Sequence, residues 1–127
     1  MDQNGLILYF DIKDLGSVND SFGHSAGDAA IRGVGEIIKN HFRSNDIIAR
    51  VGGDRFAVIS PGFTVDSYKR VKDLIVKACE EWTQKNNHPF SISITTAFVM
   101  FPSLKFGYTL SSLMDKAEEA LENEKRK

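Results

Sequence analysis

The sequence has little of what would take it outside ordinary globular chemistry. A single cysteine, Cys79, excludes an internal disulfide and a cysteine-built zinc site. No apolar run approaches the roughly eighteen residues of a membrane helix. Three prolines and the absence of any repeat or low-complexity tract exclude a collagen-like rod or a disordered linker. Neither sign of charge dominates: 16 basic against 17 acidic residues give a net charge of −1. No global field therefore recommends nucleic acid or an anionic membrane, and an anionic ligand must be held locally. The histidines are scattered singly, with no carboxylate or cysteine at ligand spacing, so His24 reads as a turn residue and His41 and His88 as surface or boundary residues. Met1 to Gly5 is short and polar and the next apolar run stops at Asp11, so no signal peptide is expected. A reducing cytoplasm is the expected location.

What is present is the composition of one globular domain. With 127 residues, 42% hydrophobic and 26% charged, a single domain over 1–127 is expected. Leu6 to Phe10 is a continuous apolar run too short for a helix, which predicts a strand buried on both faces with Asp11 at its end. From Gly23 the period becomes helical: Ser25 is the expected cap, and Ile31, Val34, Ile38 and Phe42 recur at spacings of three and four. Ile47–Val51 and Phe56–Ser60, with Gly52 and Gly53 at the tip, predict a β-hairpin. Tyr68, Val71, Ile75, Ala78 and Trp82 mark a second helix, closed by Asn86, Asn87 and Pro89 before a strand over Phe90–Met100. Leu110, Leu113, Met114, Ala117 and Leu121 line a third helix. The order β-α-β-β-α-β-α predicts the α+β class, a ferredoxin-like β-α-β-β-α-β core with an appended C-terminal helix. Cys79 and Trp82 fall on or beside a helix's apolar face, where core packing is expected.

Asp11 ends a buried strand, and Asp54 follows the paired glycines of a hairpin expected beside it. Two carboxylates brought together there suit a magnesium ion completed by water and a substrate's phosphates. The competing reading is that one ends a strand and the other decorates a turn.

Taken together, Phe10-Asp11-Ile12-Lys13-Asp14, Val18-Asn19-Asp20, Gly23-His24, Gly27-Asp28 and Arg50-Val51-Gly52-Gly53-Asp54-Arg55-Phe56 resemble the GGDEF domain of diguanylate cyclases, nearly throughout the chain. Phe90–Ile94 resembles that family's late strand and Ala117-Glu118-Glu119-Ala120-Leu121 its A-D-x-A-L helix. The resemblance implies two GTP-loaded domains meeting face to face, each 3′-hydroxyl attacking the other's α-phosphate to make cyclic di-GMP. It implies that Asn19 and Asp28 read the guanine edge, that Asp11, the Ile12 carbonyl and Asp54 hold magnesium, and that Lys125 contacts the triphosphate. Asp28 could equally serve as a helix-capping carboxylate, and Lys125 as a solvated lysine beside Arg126 and Lys127. Arg43 and Asp46 stand at the offset of the family's R-x-x-D inhibitory site, where an arginine can bond guanine O6/N7 and an aspartate its N–H groups; a surface ion pair is the alternative.

The departures matter as much. Arg55 stands where the family carries the glutamate of its signature, and arginine can neither ligate a metal nor promote hydroxyl deprotonation. About 4 Å from a divalent ion, at an effective dielectric near 20, a guanidinium is opposed by about 8 kcal/mol. Its fork fits phosphate, so binding without turnover is one outcome. Leu15 and Gly16 replace the family's phenylalanine and phosphate-contacting lysine, and Lys13 stands where a second acidic residue is common. The family's leading L-T-G-L-x-N-R helix and final strand are not found, so an excised core of a longer signalling protein is expected. The expected function is a degenerate, regulatory GTP-binding or cyclic di-GMP-sensing module able to pair with a second copy. An active cyclase and a purely structural docking domain are the alternatives.

Overall fold

A computed structural model describes residues 5–85, 88–101 and 110–126. The order is β1 (Gly5–Ile12), α1 (Leu15–Phe22), α2 (His24–His41), β2 (Ile47–Arg50), β3 (Arg55–Pro61), α3 (Val65–Lys85), β4 (Ile94–Phe101) and α4 (Leu110–Lys125). The strands form one antiparallel sheet in the order β2-β3-β1-β4. This is the ferredoxin-like arrangement expected, with α4 appended.

Why β1 is continuously apolar follows from its place. It is the second strand from one edge, paired on both sides, and every residue from Gly5 to Ile12 is buried. Alternation along the strand divides the core into two clusters. Leu6, Leu8, Phe10 and Ile12 pack with Val34 and Ile38 of α2 and Val71 and Ile75 of α3. Ile7 and Tyr9 point the other way, with Ala57, Ile59, Ala97 and Phe101, onto Leu113, Ala117 and Leu121 of α4. Two of those α4 residues are leucines, each contributing about 1.5–3 kcal/mol by burial. Cys79 is buried in the first cluster, and burial pushes its thiol up to about 11, so it is an inert core residue as expected. His88 stacks on Trp82 at 4.1 Å, and His41 Nδ1 donates to the Ile37 carbonyl at 2.7 Å.

Three local expectations need correction. Residues 15–22 form a helix that their periodicity does not announce: Gly16, Ser17, Asn19 and Asp20 are poor helix formers, and Leu15 is the residue that buries. Consequently α2 starts at His24 with Gly23, at φ 90°, as its N-cap; Ser25 lies inside the helix and Asp28 in its second turn, so neither caps it. The last strand begins at Ile94 and not Phe90, because β1 ends at Ile12, opposite Ile94, and offers residues 90–93 no further ladder beyond Lys13 N donating to Ser93 O at 2.8 Å. The expected hairpin forms, Ile47–Arg50 pairing with Phe56–Ile59 and both glycines lying in the loop over residues 51–54. Asn86 and Asn87 lie outside the described residues.

Candidate functional site

The face alternation that buries Ile7 and Tyr9 under α4 carries Asp11 to the same side, at the end of β1. Register places Arg55 of β3 directly opposite Asp11, and Thr95 of β4 on its other flank. The Asp11 side chain is only 4% exposed. Its Oδ2 takes the Lys125 ammonium at 2.8 Å and lies 3.8 Å from Arg55 Nη2. Arg55, 17% exposed, turns to α4: Nη1 reaches Glu118 Oε1 at 3.3 Å and Nη2 reaches Glu122 Oε1 at 3.1 Å. The guanidinium carbon also lies 5.9 Å from the centre of the Tyr9 ring. The hydrogen bond to Asp11, ahead of its charge and that of Glu122, raises the Lys125 pKa. Burial, then Glu118, raises that of Tyr9.

Two buried side-chain atoms of this cluster have no hydrogen-bond partner among the described residues: Asp11 Oδ1, an acceptor, and Arg55 Nε, a donor. Glu118 and Glu122 were not among the expected site residues. The available signal was helical spacing, since 118, 122 and 125 recur at i, i+4 and i+7 beside the buried Ala117 and Leu121.

In front of Asp11 opens a cavity of about 540 Å³, lined among others by Ile12, Asp14, Asp54, Lys72 and Lys125. Ile12 N donates to the Asp54 carbonyl at 2.9 Å, which ties the hairpin to the end of β1, and both aspartates line the cavity. Arg50 holds the loop from behind, donating to the Gly52 and Gly53 carbonyls at 3.1 and 2.8 Å. A Cβ on Gly53 would meet nothing within 4 Å, so a ligand can approach the backbone there. Asp11, Ile12, Asp54 and Lys125 thus meet at one cavity. Arg55 does not line it; its guanidinium is bonded to Glu118 and Glu122.

Beside the cavity the chain turns through Asp14, at φ 55° and ψ 30°, directly into α1. A left-handed residue followed by right-handed ones makes a concave row of amides, and no side chain caps α1. This is phosphate-binding geometry made of backbone. Farther along, Asn19 lies against α2: Gly23 N donates to its carbonyl at 2.8 Å, and a Cβ on Gly27 would overlap its Oδ1. Asn19 and the exposed Asp28 therefore flank the α1–α2 turn. Neither lines the cavity.

Arg43 and Asp46 form a separate cluster. Asp46 Oδ2 accepts from Arg43 N at 2.9 Å and Nε at 3.3 Å; Oδ1 accepts from Arg43 Nη2 at 3.0 Å and Ser60 Oγ at 2.8 Å. Arg43 Nη2 also reaches the Pro61 carbonyl at 2.7 Å. Burial alone would raise the Asp46 pKa, but the bonds from Arg43 and Ser60 outweigh it and hold the carboxyl below its ordinary range. The Asp46 side chain is 1% exposed against 52% for Arg43, so this is no surface ion pair. Both residues line a second cavity of about 550 Å³.

The chemistry of the first cavity does not fit magnesium as Asp11, Ile12 and Asp54 were expected to hold it. Magnesium asks for unencumbered oxygens at about 2.0–2.1 Å. Asp11 offers one oxygen already bound to an ammonium and another sealed from solvent, with a guanidinium alongside.

The family model described as "Diguanylate cyclase, GGDEF domain" matches residues 1–127. Uncharacterized protein YtrP of Bacillus subtilis (strain 168) is 32% identical over 124 residues, 98% of this chain and 20% of that protein. Diguanylate cyclase A of Treponema denticola is 31% identical over 125 residues, 94% of this chain and 32% of its own length. The chain thus spans a third or less of these relatives. Among solved structures, the coiled coil and GGDEF domain of DgcB from Caulobacter crescentus in complex with c-di-GMP superposes with a TM-score of 0.85 at 26% identity, covering 98% of this chain and 65% of that one. No helix among the described residues is long and apolar enough to cross a membrane.

Proposed function

The chain belongs to the GGDEF family of diguanylate cyclases, a domain of cyclic di-GMP signalling, and from that premise we propose that it is a catalytically silent member kept as a regulatory guanine-nucleotide-binding module. One observation carries the reading: Arg55 in place of the signature glutamate is paired with Glu118 and Glu122 on α4 and does not line the cavity. The position that should supply a carboxylate to the reacting hydroxyl supplies a cation committed elsewhere. Binding groups persist beside it. The α1 amides and Lys72 suit a phosphate chain, and Asn19 with Asp28 suits the donor edge of guanine. The module would act inside a longer signalling protein, alone or paired with a second copy.

Incubation with GTP and magnesium or manganese, at a concentration where light scattering shows dimers, should yield no cyclic di-GMP on chromatography. GTP and GDP should still bind more tightly than ATP, and Asp28→Ala should remove that preference, worth about 1–3 kcal/mol. A product peak that vanishes in Asp54→Ala would make the chain an active cyclase. Equal, weak binding of both purines would leave a docking domain.

A second reading is supported by the 52% exposure of the Arg43 side chain over its own cavity. Arg43 there offers its fork to a guanine of cyclic di-GMP, while Asp46, buried and saturated, holds the arginine in place.

A further inference from the structure

At Asp11 the nucleotide site of the preceding reading, on which this inference rests, carries cations of its own. We propose that it binds its ligand as a metal-free polyanion, Lys125 and Arg55 holding Asp11 in the role that the family gives to a divalent cation. Lys125 Nζ sits 2.8 Å from Asp11 Oδ2, and Arg55 Nη2 3.8 Å from the same oxygen. Both cations come from fixed elements. Arg55 is the register partner of Asp11 across the sheet, and Lys125 stands on the helix whose Leu121 is fully buried beneath it.

The unpartnered atoms point the same way. Asp11 Oδ1 needs a donor and Arg55 Nε needs an acceptor, and both lie on cross-strand neighbours. A divalent ion serves the first alone and is repelled by the second. Glu118 and Glu122 complete the device by holding the guanidinium to α4, so that it balances Asp11 without entering the cavity. With Asp11 so occupied, the phosphate chain is left to Lys72, Lys125 and the backbone amides at the start of α1.

The test titrates the intact chain with Mn²⁺ alone, read by electron paramagnetic resonance, and with GDP by calorimetry in magnesium or in EDTA. Wild type should leave Mn²⁺ free and bind GDP within about twofold in the two buffers. Lys125→Gln, on an exposed helix end and not expected to impair folding, and Arg55→Glu/Lys125→Gln should gain Mn²⁺ binding; in the double variant GDP affinity should become magnesium-dependent by about tenfold or more. Mn²⁺ bound by wild type, a loss of about tenfold in wild-type GDP affinity on chelation, or variants that still bind no Mn²⁺ would each overturn the proposal. Should GDP bind in neither buffer, the nucleotide-binding reading falls, and the Mn²⁺ titration still decides this one.

Discussion

Two buried aspartates in this fold each meet an arginine, and the meetings differ in what they leave over. At Asp46 both carboxylate oxygens are shared among Arg43, its backbone amide and Ser60, and the carbonyl of Pro61 takes up more of the guanidinium. At Asp11 one oxygen takes two cations while the other has no partner, and the arginine spends its bonds on a different element. The first cluster is saturated, as groups that fasten a loop to a strand must be to repay burial. The second leaves an unmet acceptor on Asp11, which lines a cavity, and an unmet donor on Arg55, which does not. An Arg–Asp pair therefore says little about function until its remaining valences are counted.

Breaking each pair should separate them most sharply. Asp46→Ala removes the acceptor of Arg43 N, Nε and Nη2 and of the buried Ser60 hydroxyl, and should cost roughly 2–3 kcal/mol in urea unfolding. Asp11→Ala removes one oxygen that had no partner and one paired with the part-exposed Lys125, and leaves Arg55 its two glutamates, so its cost should stay near 1 kcal/mol. Similar losses at the two sites would erase the distinction.

Next in size is ligand affinity at the saturated cluster. If Arg43 alone faces cyclic di-GMP, Arg43→Ala should weaken binding by about 1.5–3 kcal/mol in calorimetry. Variants of Asp11 should leave it unchanged, the two clusters sharing no partner.

Acid sharpens the contrast further. A carboxyl whose pKa is lower folded than unfolded contributes stability that is complete above the unfolded value, 3.8 for Asp46, and lost as pH falls below it toward the folded value. Thermal unfolding of wild type should therefore weaken more steeply below about pH 4 than that of Asp46→Asn. Parallel curves would show that the Arg43 bonds do not survive in solution. The smallest effect belongs to α4. Glu118 and Glu122 are half-exposed, so Glu122→Gln should cost less than about 1 kcal/mol, a loss that added salt should hide.

Much of this was readable in the residues, and the failures have physical causes. The five apolar residues of β1, the glycine-tipped hairpin and the apolar stripes of α2, α3 and α4 all report burial, which is what local periodicity encodes. Helix α1 escaped because tertiary contact through Leu15, and not propensity, holds it. The onset of β4 escaped because it depends on where another strand ends. Asp11 and Asp54 could be placed together from strand and hairpin alone. The destination of Arg55 could not, since Glu118 and Glu122 stand more than sixty residues away and meet it only once the sheet has chosen which face α4 covers.

That choice of face has a kinetic consequence. Among the described residues α4 is the helix that covers Ile7, Tyr9, Ala57, Ile59 and Ala97, and it also carries Glu118, Glu122 and Lys125. A fluctuation that lifts it must bare half the sheet and release Asp11 and Arg55 in the same event. Backbone amides of α4 and those of β1 around Asp11 should then exchange with deuterated solvent as one cooperative unit, with a common opening free energy. A bound nucleotide touching only the mouth of the cavity would slow exchange along the whole helix.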